Sequence, residues 1–582
     1  MPTQQTFKKW AVRRCWRIFP LAGLLGLLVG PQNPVRAETP TAKSDLFLQQ
    51  AMASRKGGDC QVILQLGAPL NAERERQLQA LQAVIYQHLS LIHSVAVRVP
   101  ARNLAGLSAL PFVTHLSADV AVKKCDEFTV GSSEANVAWQ QYRLDGSGVT
   151  VAVVDSGITG GNLDLSNPSS GASRVIGGVS FVPNQDYGGD SCGHGTHIAG
   201  IIAGNGANST GPRFFHTFYG IAPNANLVDV RVLDKHGQGS VSTVISGIQW
   251  VVDNAAAYNI RVLNLSLGHP VGDYYANDPL CQAVEQAWKA GIFVVCAAGN
   301  QGRMNANQAT GQPNEGWGAA YGSIQCPGND PYVITVGATK SIDGNRADDR
   351  IATYSGRGPT RLDFILKPDI VAPGNQIISL EARHSYLDTV YSNTNLIPLA
   401  SYCYTNSARS SSHYFCLSGT SMAAPVVAGA AALMLQANPG LSPDTLKARL
   451  MISADKWADP SGNYDPCTYG AGYLNIPAAL ANTVTTGGYA TSPPLARDSG
   501  GSVVIDNIIW GTSGINKTSG ANIIWGVSTI NLNIIWGSNI VWGTNILWGN
   551  NILWGAGTWN DQNVWATNAS GVDLSATALF GE

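Results

Sequence analysis

Excess charge of either sign is missing from this chain. Across 582 residues, 36 Lys and Arg face 38 Asp and Glu, a formal net charge of −2. No basic block stands outside the first 17 residues, so nothing points to nucleic acid as a partner. The leading apolar run, Ile18 to Gly30, has 13 residues. That is too short for a helix to cross a hydrocarbon core of ~30 Å. An even cysteine count is missing too. Ten cysteines are present, and setting aside Cys15 in the leader leaves nine. At least one thiol is therefore unpaired.

The start reads as a targeting segment. Lys8, Lys9, Arg13, Arg14 and Arg17 form a basic region, the apolar run follows, and Val35-Arg36-Ala37 fits a small-residue cleavage site. A signal peptide over 1–37 predicts a secreted chain, extracellular or associated with the cell surface. Export permits disulfides. Cys403 and Cys416 flank a polar loop and form the best candidate pair, with Cys281 and Cys326 as second choice. Cys296, in the apolar run Ile292 to Ala298, reads as a buried free thiol.

The chain is organised around Ser418-Gly419-Thr420-Ser421-Met422-Ala423-Ala424-Pro425. A small-residue turn delivers Ser421, and the alanine-rich run Val426 to Leu435 stops at Asn438-Pro439-Gly440. This predicts a buried helix with Ser421 at its N-terminus. Outward-pointing N–H groups and the helix dipole favour a developing negative charge there. A serine that attacks a carbonyl suits this place, although most serines ahead of a helix are only N-caps. A base has to come from elsewhere.

Gly148 to Asp155 reads GVTVAVVD, a buried strand ending in a carboxylate. Active sites of parallel α/β proteins lie at such carboxyl ends, yet a strand-end cap is a common role for aspartate. Gly193-His194-Gly195-Thr196-His197 then turns into a small-residue helix. The two histidines lack the glutamate of a zinc-type helical motif, which weakens a metal reading. His194 lies between a strand-end Asp and a helix-start Ser.

With VAVVDSGI around Asp155, GHGTHIAG around His194, VVCAAGN ending in Asn300 and SGTSMAAP around Ser421, the chain resembles the subtilisin family of serine endopeptidases from about Trp139 to Leu480. The resemblance implies an α/β fold with a doubly wound, mostly parallel sheet. The strand-like runs 226–233, 261–267, 292–298 and 333–338 and the helical runs 242–257 and 280–290 agree. It implies catalytic roles for Asp155, His194 and Ser421, and an oxyanion hole containing Asn300. It places extended substrate between Ser266-Leu267-Gly268 on one edge and Gly237 with Gly239 on the other; a plain turn is the competing reading for 237–239. Peptides and proteins are the expected substrates, with no cofactor required. Family members often bind calcium, but no loop here has a matching carboxylate spacing, so any ion is unassigned. Insertions at Asn205–Tyr219, Gln301–Tyr321 and Glu381–Phe415 distinguish the chain from small family members.

Residues 45–124 read as a small α+β unit: strand Gln61–Leu66, helix Asn71–His88, strand Leu91–Val99, helix Arg102–Leu110 and strand Phe112–Val122. It resembles the ferredoxin-like inhibitor propeptide of subtilisin-like proteases, which implies an intramolecular inhibitor. Residues 125–138 then form a processing linker and 139–482 the catalytic domain, with a further linker over 483–501. The tail, 502–582, repeats Asn-Ile-x-Trp-Gly from Asn507, Asn522, Asn533, Asn539, Asn545 and Asn551. Eight of the 15 tryptophans lie there, so short strands separated by turns are expected. The tail is expected to contact the catalytic domain or a cell surface. A secreted, self-processing serine endopeptidase is the reading that follows. A surface-binding protein on a protease scaffold is the alternative, and the filled catalytic positions count against it.

Overall fold

In the computed structural model, the described residues are 43, 44, 48, 52, 58–89, 94–118, 129–341, 344–405, 410–457, 465–497 and 503–505. The segment expected to be a signal peptide and the Trp-rich repeats lie outside them. The chain divides into two units, 1–123 and 124–582.

Among the described residues, the first unit is a four-stranded antiparallel sheet with two α-helices. Its strands are β1 (Asp59–Leu66), β2 (Val84–Leu89), β3 (Ser94–Pro100) and β4 (Val113–Ala118), in the order β2-β3-β1-β4. Helix α1 (Ala72–Ala80) follows β1, and α2 (Leu104–Ala109) precedes β4. This βαββαβ order is ferredoxin-like. One expectation is corrected: the helix does not run to His88. It stops at Ala80, Gln82 takes a positive φ of 58°, and β2 begins at Val84. Ala83 and Ile85 fit a period of two as well as one of 3.6. The run Val84-Ile85-Tyr86 is β-branched and aromatic, which decides for strand.

The second unit is built on an eight-stranded sheet. Its strands are β5 (Thr150–Asp155), β6 (Val175–Ser180), β7 (Asn226–Arg231), β8 (Ile260–Leu265), β9 (Phe293–Ala297), β10 (Ile334–Lys340), β11 (Arg350–Ile351) and β12 (Ile370–Pro373). The order is β11-β10-β9-β8-β5-β7-β6, with β12 also on β10. Every pairing is parallel except β10 with β11. Strand β5 is flanked by β7 and β8, so the winding reverses there, and Asp155 ends that strand. A crevice outside such a switch point is where α/β sheets bind ligands. Helices α3 (His194–Ala203) and α6 (Thr420–Ala437) pack on each other, as do α4 (Val241–Tyr258) and α5 (Pro279–Lys289).

The insertion before Ser421 is structured. Strand β13 (Ile377–Leu380) leads into α-helical residues 386–395. Strands β14 (Leu396–Pro398) and β15 (Ser410–Leu417) complete a three-stranded sheet in the order β13-β15-β14. Tyr402 and Tyr414 from this insertion meet Phe214 and Phe218 from the 205–219 insertion. Cys403 and Cys416 do not form the expected disulfide; both are free thiols. Cys403 bridges by backbone to Phe214, while Cys416 sits on β15 opposite Ile378. Cys281 and Cys326 are also thiols, with sulfurs 3.5 Å apart. The stretch read as a linker from 483 is partly built into this unit. Ser492 is buried and Leu366 N–H donates to the Pro493 carbonyl at 2.9 Å.

Candidate active site

Asp155 is fully buried at the end of β5, where a strand buried along its whole length carries it out of the sheet. Both its oxygens face Nδ1 of His194, at 2.9 and 3.0 Å. His194 is the first residue of α3, and the close approach depends on glycine. A Cβ on Gly195 would stand 2.2 Å from the Gly157 carbonyl oxygen, and one on Gly157, whose φ is +116°, 2.2 Å from that of Gly189.

The turn that presents His194 is folded around Asp190. Its Oδ1 accepts from Ser156 Oγ at 2.9 Å, Cys192 N at 3.1 Å and Gly193 N at 2.7 Å. Its Oδ2 accepts from Thr196 N at 2.8 Å. Asp190 thereby satisfies N–H groups that the start of α3 would otherwise leave bare. Burial pushes its carboxyl upward, and the bonds from Gly193 and Thr196 oppose that. The sequence reading missed Asp190. Its signal is an Asp four residues before the first helical histidine, in Asp190-Ser191-Cys192-Gly193.

His197 points elsewhere. Its Nε2 lies 3.1 Å from the carbonyls of both Ile377 and Phe415, tying α3 to β13 and β15. Burial and the neighbouring His194 lower it to about 3, so it is a neutral structural side chain. The Cys192 thiol is buried, and desolvation together with Asp190 pushes it well up. It keeps its proton and is no nucleophile.

Ser421 is the second residue of α6 and 7 % exposed. The helix carries Pro425, which has no N–H to give to the carbonyl four residues back. That carbonyl belongs to Ser421. Ser266 Oγ fills the gap, donating to it at 2.8 Å, and accepts from Asn264 Nδ2 at 2.9 Å. The Ser421 hydroxyl donates to the Ser266 carbonyl at 3.2 Å. Asn264 was missed in the sequence, although Asn264 and Ser266 are the polar positions of the otherwise apolar run Val262 to Leu267.

Asn300 follows β9. Its Oδ1 accepts from Thr420 N at 2.9 Å and Thr420 Oγ1 at 3.1 Å. Its Nδ2 lies 3.2 Å from where a Cβ on Gly419 would stand. The carbonyl end of the amide is therefore committed to Thr420, and the donor end is turned to the Ser421 turn. Ser266, Asn300 and Ser421 thus gather at the start of α6. Leu267 is buried, and a Cβ on Gly268 would come within 2.7 Å of the Cys326 carbonyl oxygen. Gly237 lies in a self-contained turn, with φ +70° and Asp234 Oδ1 accepting from His236 N and Gln238 N. Gly239 comes just before Ser240, which caps α4.

The sequence profile of the subtilase family matches residues 146–472. The chain belongs to the subtilase family. This subtilase is 40 % identical to serine protease AprX of Bacillus subtilis (strain 168) over 362 residues, 60 % of this chain and 70 % of the relative. It is 34 % identical to subtilisin DY of Bacillus licheniformis over 340 residues, 58 % of this chain and 93 % of the relative. It is a subtilisin-like serine endopeptidase. Calcium, common in the family, prefers six to eight oxygen ligands. Among the described residues of this subtilase, the one cluster of three or more His, Cys, Asp or Glu side chains able to share an ion is His269, Asp278 and Cys326. That donor set does not fit calcium.

Proposed function

We propose that this subtilase is a secreted endopeptidase that cuts proteins through Asp155, His194 and Ser421 and an acyl-enzyme intermediate, and that it processes its own precursor. The observation that carries the reading is the pairing of the buried Asp155 carboxylate with His194 Nδ1, which leaves Nε2 as the working base. The Ser421 hydroxyl exchanges the Ser266 carbonyl for His194 Nε2, gives up its proton and attacks the substrate carbonyl. The oxyanion takes hydrogen bonds from Asn300 Nδ2 and the Ser421 N–H, at the positive end of α6. His194 returns the proton to the leaving amine, and water repeats the sequence on the ester. No cofactor enters these steps.

Substrate runs as an added strand along Ser266-Leu267-Gly268, with Gly237 and Gly239 on the other edge. The 45–124 unit is proposed as the inhibitory propeptide, and the 502–582 tail as a contact to the catalytic domain or a cell surface.

A serine-directed fluorophosphonate should label the active chain once, and Ser421→Ala should abolish the label. Expressed in a protease-free host, Ser421→Ala should accumulate as a precursor still carrying Asp45 to about Lys124. Labelling that survives the substitution would remove Ser421 as nucleophile. A mature-sized Ser421→Ala product would end self-processing.

A further inference from the structure

Just past Gly268 the backbone of His269 pairs with that of Cys326, N–H to carbonyl in both directions at 2.9 Å. Three side chains of metal-ligating type meet at this bridge, and a fourth, Cys281, touches them at its edge. Asp278 caps α5, its Oδ1 accepting from Leu280 N at 2.9 Å and Cys281 N at 3.2 Å. Its Oδ2 faces His269 Nε2 at 3.6 Å. Cys326 Sγ lies 3.2 Å from Asp278 Oδ1 and 3.5 Å from Cys281 Sγ. One ligand atom each from His269, Asp278 and Cys326 fall within 4.8 Å of one another. Both cysteines are fully buried and Asp278 is 5 % exposed.

Two observations favour an ion over a merely packed polar cluster. His269 Nδ1 lies 2.8 Å from the Pro270 carbonyl, to which it can only donate. The proton is thus on Nδ1, and Nε2 is buried without a hydrogen-bond partner. An imidazole pinned by a main-chain carbonyl, with its other nitrogen aimed at anionic groups, is oriented as a metal ligand. The spacing agrees. Around a tetrahedral zinc, bonds of ~2.3 Å to sulfur and ~2.0–2.1 Å to nitrogen or oxygen set S···S near ~3.8 Å and N···O near ~3.3 Å. The structure has 3.5 Å between the sulfurs and 3.6 Å between His269 Nε2 and Asp278 Oδ2.

We propose that His269, Asp278 and Cys326 form a structural site for a borderline-soft divalent cation, zinc by preference, with Cys281 turning its thiol from Asn329 to supply the fourth ligand. Thiolate and imidazole donors select against calcium and magnesium. Binding releases the two thiol protons to solvent, and two thiolates, a carboxylate and a neutral imidazole enclose the dication. The ion joins the start of α5 to the 325–326 loop and to the segment after Gly268. The Gln325 side chain in that loop stands 2.8 Å from where a Cβ on Gly299 would be, next to Asn300. Metal therefore stiffens one wall of the candidate active site and takes no part in the reaction.

Cobalt(II) titration of the full-length Ser421→Ala chain, reduced and protected from self-digestion, tests this. The expected result is a sulfur-to-cobalt charge-transfer band and intense tetrahedral d–d bands. Both should saturate at one equivalent and bleach on adding zinc. Zinc should also raise the unfolding midpoint. Cys281→Ser and Cys326→Ser should lose the charge-transfer band, and Cys403→Ser should keep it. His269→Gln replaces a half-buried side chain and should fold even where the buried cysteine variants do not. It should weaken cobalt binding at least about tenfold. No charge-transfer band, a band indifferent to His269→Gln and Cys326→Ser, or a Cys281–Cys326 disulfide in the chain as isolated would each overturn the site.

Discussion

Around His194 most side-chain acceptors are carboxylates: Asp155 takes Nδ1, and Asp190 takes N–H groups of the turn that presents the ring, while Gly195 N donates to Ser156 Oγ. Around Ser421 they end on hydroxyls, amides and main-chain carbonyls: Ser266 Oγ, Asn264 Nδ2 and the Asn300–Thr420 pair. The difference matches the charge that each side would accept in the proposed mechanism. In that mechanism an imidazolium forms on one side, and nearby carboxylates would stabilise it. An oxyanion forms on the other, where a carboxylate at ~4 Å would cost of order 4 kcal/mol at an effective dielectric of ~20. Negative groups are thus kept to the side where positive charge appears.

Replacing the charge on the histidine side should have the largest effect. Asp155→Asn keeps the shape but offers an amide to Nδ1, which favours the wrong tautomer. It should lower kcat by about 10⁴ with little change in fold. Steady-state kinetics with circular dichroism as the folding control measure this. A loss under about tenfold would mean that the carboxylate is not what distinguishes the two sides.

On the serine side the largest loss should come from Asn300→Ala. A fall of roughly 10²–10³ in kcat at nearly constant KM is expected, a magnitude carried over from the equivalent asparagine of a subtilisin rather than derived from this geometry. Asn300→Asp should be worse than alanine at neutral pH if charge segregation is the principle. Equal losses would reduce Asn300 to a hydrogen-bond donor whose charge is immaterial.

Ser266→Ala tests the neutral scaffold itself. It leaves the Ser421 carbonyl, already deprived of an in-helix donor by Pro425, with no hydrogen-bond donor from Ser266, and frees Asn264 Nδ2. An unsatisfied buried group costs about 1–3 kcal/mol. Thermal stability should drop accordingly, and kcat/KM should fall by about tenfold as Ser421 loosens. Restoration of both by Ser266→Thr would assign the effect to the hydroxyl; unchanged stability would show that the carbonyl finds another donor.

The two sides also differed in how far they could be read from sequence. Asp155, His194 and Ser421 each stand where an apolar strand ends or a small-residue helix begins, which made them candidates, and the resemblance to the family joined them and added Asn300. Asp190 does not end a strand, and its four hydrogen bonds exist only once the turn closes. Pro425 was visible, but its consequence at Ser421 depends on Ser266, just past the end of β8 and 155 positions away in sequence. Strand β2 was hidden because Ala83 and Ile85 satisfy two periods at once. Cys403 and Cys416 looked pairable along the chain, and only the backbone bridge of Cys403 to Phe214 shows why they part.

The smallest expected effect concerns the brace behind the histidine turn. Tyr386 N and Leu387 N donate to the carbonyls of Ser191 and Cys192 at 2.8 and 3.0 Å, and the segment that does so begins at Glu381. Glu381 is buried, its Oε2 has no hydrogen-bond partner, and burial together with Asp388 raises it to about 8. The folded chain therefore holds a proton on Glu381 that the unfolded chain releases near the ordinary value of 4.5. The proton binds more tightly to the folded state, so this contribution is complete below about 4.5 and is lost as pH rises through about 8. Glu381→Gln keeps the neutral form at every pH. Scanning calorimetry in the Ser421→Ala background should give nearly equal midpoints with and without Glu381→Gln at pH 5. At pH 9 the chain carrying Glu381→Gln should have the higher midpoint. Activity near neutral pH should scarcely change, because the brace supports the turn without touching the reacting atoms. Midpoint curves that stay parallel from pH 5 to 9 would show that Glu381 ionises alike in both states. The carboxylates that matter on the histidine side would then be Asp155 and Asp190 alone.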